Sequence, residues 1–145
     1  MAQTLSNELA GINSTPVVKP SAASAYGARL RRYRASIVLA SQVLGAGNEI
    51  ILAKVPAGLT FAYGVVTTDT SLGTSTIAVG ISGTAAKYKA AAVLTATDTP
   101  TMFGTTAQIE QASLVAEEVV LLTVAVANLP ASGNLVVDLY FSTPT

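Results

Sequence analysis

The chain has no cysteine, no histidine and no tryptophan. Without cysteine there are no disulfides, thiolate metal sites or cysteine nucleophiles. Without histidine a Ser-His-Asp or Cys-His relay cannot be assembled, and the commonest general base near neutral pH is missing. Zinc loses its usual nitrogen and sulfur ligands at the same stroke. Charge is scarce: 11% of the 145 residues are Asp, Glu, Lys or Arg, against about 25% in an average soluble domain. No run of about 18 apolar residues occurs, so no transmembrane helix is expected. Met1–Glu8 shows no basic stretch followed by an apolar one, and no signal peptide is expected.

What remains is apolar and small. Half the residues are hydrophobic, and Thr, Ser, Ala and Gly must supply much of the surface. Such a surface suits a chain largely covered by other subunits better than a free monomer, which keeps charge outside for solubility. The alternative is a secreted or repetitive low-charge β domain. One domain is the default at this length, with enough chain to bury a real core.

The zero net charge conceals an asymmetry. Residues 1–35 hold Lys19, Arg29, Arg31, Arg32 and Arg34 against Glu8, so 5 − 1 = +4. The remainder holds Lys54, Lys87 and Lys89 against Glu49, Asp69, Asp98, Glu110, Glu117, Glu118 and Asp138, so 3 − 7 = −4. Residues 1–35 are accordingly read as an N-terminal arm and 36–145 as a β domain. Residues 6–10 could form one helical turn, which Gly11 and Asn13 break. Pro16 and Pro20 favour extended backbone. Residues 21–34 mix good helix formers with Gly27 and show no apolar stripe, so an extended arm running into the first strand is expected.

From Ala35 on, strand and turn signals alternate. Runs at 37–39, 49–55, 60–68, 76–82, 118–127 and 135–141 read as strands. In the third, Phe61, Tyr63 and Val65 are expected on one face. Ile77, Val79 and Ile81 share a face, as do Val120, Leu122, Val124 and Val126. Leu135, Val137, Leu139 and Phe141 oppose Val136, Asp138 and Tyr140. Residues 84–112 are ambiguous: Ala85–Ala92 is rich enough in alanine to form a helix, and Met102–Gly104 could be a short edge strand. The fold class is all-β: an antiparallel β-sandwich or jelly-roll-like domain of about seven or eight strands, with the extended arm in front.

Nothing catalytic assembles. No Ser-x-x-Lys spacing occurs, and most carboxylates sit in turns or next to strand starts, as solvated loop charges do. Asp138 is the exception, mid-strand beside Val136 and Tyr140, where a salt bridge or subunit contact is expected rather than catalysis. Adjacent Glu117 and Glu118 point to opposite faces of a strand, a poor chelate. Gly45-Ala46-Gly47-Asn48 has Ile50 where a dinucleotide-binding loop needs its third glycine, and reads as a turn. No enzyme activity, metal or cofactor is expected.

The concentrated signal is Arg29, Arg31, Arg32, Tyr33 and Arg34, the candidate partner-binding residues. Arginine pairs bidentately with carboxylates, so docking on an acidic protein surface is the leading reading. Phosphate binding with Tyr33 as a stacking aromatic comes behind, because four arginines are few and the rest of the chain is acidic. A solvated basic stretch without a partner is the third reading.

Several phrases are also familiar in texture. They are Tyr26–Ser36 leading into an apolar strand, Val55–Gly58, Phe61–Gly64, Ser71–Gly80, Ala86–Val93 and Thr95–Pro100. Over residues 26–141 the chain resembles small virion structural proteins of tailed bacteriophages, of the head decoration (cement) type. The resemblance implies a homotrimer on the capsid surface whose arm reaches across the major capsid protein, in a virion assembled in the host cytoplasm. It does not fix topology, since such proteins use several folds, and it carries over only a role, anchoring, for Arg29–Arg34. The alternatives are a tail-fibre or baseplate module binding a receptor or carbohydrate, and a single jelly-roll coat protein with a nucleic-acid-binding arm. No membrane partner is expected.

Overall fold

The computed structural model describes residues 6, 9, 16, 17, 27–41 and 45–143. Expectations for the remainder of residues 1–26 lie outside these. Eight strands form: β1 (Arg29–Val38), β2 (Glu49–Val55), β3 (Thr60–Thr68), β4 (Thr76–Ile81), β5 (Thr84–Val93), β6 (Thr101–Phe103), β7 (Glu118–Ala125) and β8 (Asn134–Thr143). Among the described residues one α-helical turn, α1 (Thr106–Ile109), lies between β6 and β7, and a 3-10 turn (Leu39–Ser41) follows β1.

The strands make two four-stranded sheets, ordered β1-β8-β3-β6 and β2-β7-β4-β5, and every pairing is antiparallel. The pairs β1·β8, β2·β7, β3·β6 and β4·β5 are those of one long hairpin folded at β4–β5. Wrapping that hairpin around itself adds β3·β8 and β4·β7. The result is a jelly roll, the two-sheet solution to covering strand edges.

Alternation explains which residues fill the space between the sheets. Leu135, Val137, Leu139 and Phe141 point inward from β8, Val120, Leu122 and Val124 from β7, and Ile77 and Val79 from β4; all are fully buried. At about 25 cal/mol per Å² of apolar surface removed from water, these faces supply the main stabilising term. Aromatic side chains gather toward the β1 start. Phe61 contacts Tyr88 at 4.6 Å and Phe141 at 5.5 Å between ring centroids, and Tyr33 meets Phe141 edge-on at 5.9 Å. Tyr88 comes from the second sheet, so the cluster bolts the two layers together.

The structure departs from the sequence expectation in three places. β1 begins at Arg29, so the expected arm–domain boundary between residues 35 and 36 falls inside a paired strand. In β3 a register shift between Phe61 and Tyr63 turns the chain over. Phe61 therefore faces the core at 3% exposure, while Tyr63 and Val65 face outward instead of sharing its side. Val126 lies beyond β7 at φ +71 and is exposed, rather than extending the inward row of that strand. The ambiguous Ala85–Ala92 run is strand, within β5, and Met102 and Phe103 belong to the short edge strand β6.

Candidate functional site

β1 is the edge of its sheet, hydrogen-bonded on one side to β8. Its inward residues after the first turn of the ladder are Tyr33, Ala35 and Ile37, which pack on the core. Arg29, Arg31, Arg32 and Arg34 are all exposed. The structure thus brings the five residues singled out in the sequence onto one strand, and divides their work. Tyr33 is half-buried against Phe141 and holds the strand down. Arg34 sits directly across from Asp138 and pairs with it through Nε to Oδ1 at 2.8 Å and Nη2 to Oδ2 at 2.7 Å. Arg29, Arg31 and Arg32 make no ion pair among the described residues.

The register sets what surrounds them on the outer face of this sheet. One row across the strands reads Arg32, Tyr140, Tyr63, and the next reads Arg34, Asp138, Val65, Met102. Tyr63 and Tyr140 stack with ring centroids 4.5 Å apart and planes within 17°. Leu30, Val38 and Met102 stand more than half exposed around them. Arginine, tyrosine and methionine are the residues enriched where proteins bind proteins. Sequence reading marked Asp138 for a salt bridge but missed the tyrosine pair, because the β3 bulge that turns Tyr63 outward leaves no trace in the alternation.

Electrostatics fit the geometry. Hydrogen bonds from Arg34 hold the Asp138 carboxyl below its ordinary range, with the charges of Arg34 and Arg32 adding and burial opposing. The same bond raises Arg34. Both partners of this pair are therefore committed to each other, and the charge left to offer elsewhere is that of Arg29, Arg31 and Arg32.

A second polar cluster lies inside, between β5 and β7. Tyr88 Oη donates to Glu118 Oε2 at 2.6 Å, and Lys87 Nζ pairs with Glu118 Oε1. Burial, then the bond to Glu118, pushes the Tyr88 phenol well above its usual range. A phenol that stays protonated and hydrogen-bonded is a structural tie rather than an acid–base group. Glu117, adjacent, is exposed and lies just before β7. Among the described residues no three acidic side chains gather as a metal site would need, and no helix is long and apolar enough to cross a membrane.

No family model matches the chain, and no curated protein matches it in sequence. Solved structures do. A chain of the cyanophage Pam1 capsid asymmetric unit superposes with TM-score 0.65 at 18% identity, covering 91% of this chain and 97% of that one. A chain from the capsid of Ralstonia phage GP4 gives 0.60 at 17% identity, covering 81% and 85%. A chain from the acid-stable capsid of Helicobacter pylori bacteriophage KHP30 gives 0.58 at 14% identity, covering 80% and 89%. The fold occurs in phage capsids. At these identities the likeness is one of fold, and it extends over nearly the whole of each chain rather than over a shared fragment.

Proposed function

We propose that this chain is a structural protein of a phage virion, a head decoration protein that binds the outer capsid surface and stabilises the shell. It is a building part and not an enzyme. The observation that carries the reading is the near full-length fold likeness to chains of three phage capsids. The scarcity of charge and the unpaired arginines of β1 support it.

The partner is the major capsid protein, met through an acidic patch. Arg29, Arg31 and Arg32 supply bidentate, charge-assisted contacts along the edge strand, and the Tyr63–Tyr140 stack supplies rigid apolar area beside Arg32. The Arg34–Asp138 pair stiffens the strand that presents them. The chain assembles with itself, as a homotrimer, and many weak contacts repeated over a lattice add up to a stable shell. Residues before β1 extend the anchor, so a truncation meant to test them must stop before Arg29, since β1 pairs along its whole length with β8.

The test is a cryo-EM map of the assembled particle. Density for this jelly roll on the outer capsid surface, with β1 toward the shell, is the expected result; density on the tail, or none, overturns the reading. The half-buried, outward-facing tyrosine stack beside Arg32 favours one other function, a receptor- or carbohydrate-binding module on a tail fibre or baseplate. Binding on a glycan array that Tyr63→Ala abolishes would support that instead. A nucleic-acid-binding coat protein predicts a steep fall of nucleic-acid affinity with salt.

A further inference from the structure

The outer face of the second sheet is a different kind of surface. Across β2, β7 and β4 the register gives the rows Glu49–Thr123–Ala78 and Ile51–Leu121–Gly80, with Lys54 beside Val119. Ile51 is 62% exposed and Val119 is 36% exposed, whereas Leu121, Ala78 and Gly80 are buried, so the accessible part of this face is β2 with Val119 beside it. Among the outward residues of these three strands the charged ones are Glu49 and Lys54. Both are exposed, and neither has an ion-pair partner among the described residues. Thr123 Oγ1 is buried with no hydrogen-bond partner.

The placement of the two charges is symmetric. A register shift between Ile51 and Ala53 absorbs one residue of β2. Measured on β7, Glu49 lies opposite Thr123 and Lys54 opposite Val119, each two residues from Leu121. At about 3.4 Å per residue, the opposite charges stand roughly 7 Å on either side of the Ile51–Leu121 row. A two-fold axis lying across the strands at that row lays β2 antiparallel over β2 of a second copy. Each Glu49 then meets the other copy's Lys54, and Ile51 meets Ile51.

We infer that this face is a two-fold, isologous contact between copies of this chain, centred on Ile51 and registered by Glu49 and Lys54. A trimeric ring uses heterologous contacts, so the two-fold contact joins rings, or monomers, in pairs. It is independent of the capsid reading and uses the opposite face of the molecule. The footprint of β2 with Val119 beside it, on the order of a few hundred Å² per copy, puts it in the weak class that concentration or a lattice populates.

Native mass spectrometry and sedimentation equilibrium of the full chain test it, over about 1 to 500 µM. The wild-type assembly is expected to have twice the mass of the Ile51→Glu variant. Glu49→Lys and Lys54→Glu each halve the mass, because each sets like charges face to face. An equimolar mixture of the two regains the full mass, since every contact in the mixed pair is again opposite in sign. Unchanged thermal midpoints show that the variants fold. The inference is overturned if the variants and wild type have equal mass, or if the mixture stays halved. It is also overturned if Ile51→Glu loses capsid binding with no change of mass, which would give the face to another protein.

Discussion

The β1-β8-β3-β6 sheet and the β2-β7-β4-β5 sheet fill one core between them, yet their outer faces differ in kind. The first carries an intramolecular ion pair, a tyrosine stack and Arg32, while Arg29 and Arg31 stand exposed on the other side of the edge strand β1. The second carries Ala78, Gly80, Leu121 and Thr123 with a single charge at each end of β2. A face built of arginine and tyrosine suits an acidic partner of another kind. The balanced charges of β2 are those of the self-contact inferred above. On the two proposals above, a chain with so few charged residues would offer two distinct surfaces.

The comparison of inside with outside breaks most sharply at the β3 bulge. Phe61→Ala, in the core, should cost about 3–5 kcal/mol, whereas Tyr63→Ala, two residues away on the outer face, should lose only its stack, about 1 kcal/mol. Urea unfolding midpoints measure both; similar losses would mean the register shift is misplaced. The two sheets also differ in how their glycines are crowded. A Cβ on Gly80 would lie 2.2 Å from the Thr84 carbonyl oxygen, which is backbone, while one on Gly64 would meet the Phe103 ring at 2.1 Å. Gly80→Ala should therefore destabilise by about 3 kcal/mol or more. Gly64→Ala, relieved by rotation of a half-exposed ring, should cost about 1–3 kcal/mol in the same assay.

Tyr88→Phe isolates the tie between β5 and β7. It keeps the aromatic packing and strips Glu118 of a hydrogen bond, at a cost of about 1–2 kcal/mol by thermal unfolding. Tyr140→Phe on the outward-facing, half-buried stack should fall within about 0.5 kcal/mol of wild type. The smallest effect is in acid. Arg34 keeps Asp138 ionised below its usual range, so the pair stabilises the fold above the unfolded value near 3.8. That contribution is lost as pH falls below it through the folded value. Asp69, held low by the backbone and then the side-chain amide of Asn134, acts with the same sign. Asp138→Asn should thus flatten, without abolishing, the fall of melting temperature below about pH 4.

How much of this was written in the sequence varies by strand. β4, β7 and β8 were legible because one face of each is fully buried and the apolar alternation is unbroken. The first six residues of β1 were not, since an edge strand with exposed arginines on both sides has no period to read; only Tyr33, Ala35 and Ile37 betray it. β5 stayed ambiguous for a related reason: mostly exposed alanines fit a helix or an edge equally well. The α1 turn did leave a signal, Thr105 three residues before Gln108, whose Oε1 accepts the Thr105 backbone N–H at 2.8 Å. The bulges in β2 and β3 left none, and they set both the outward tyrosine stack and the charge symmetry of Glu49 and Lys54. The arginine cluster was legible, and its docking role is the reading proposed above; the loss of Arg34 to Asp138 was not legible, because it needs a cross-strand register.

Exposed charges on a long edge strand also discourage stray strand pairing, whatever else they do. Charge reversal separates that role from docking, because glutamate protects an edge as arginine does but cannot bind an acidic surface. The deciding measurement is co-sedimentation of the Arg29→Glu, Arg31→Glu, Arg32→Glu triple variant with capsids that lack this chain. The account predicts an unchanged melting temperature and loss of capsid binding by at least about 100-fold, roughly 1 kcal/mol per arginine. Binding equal to wild type would contradict it.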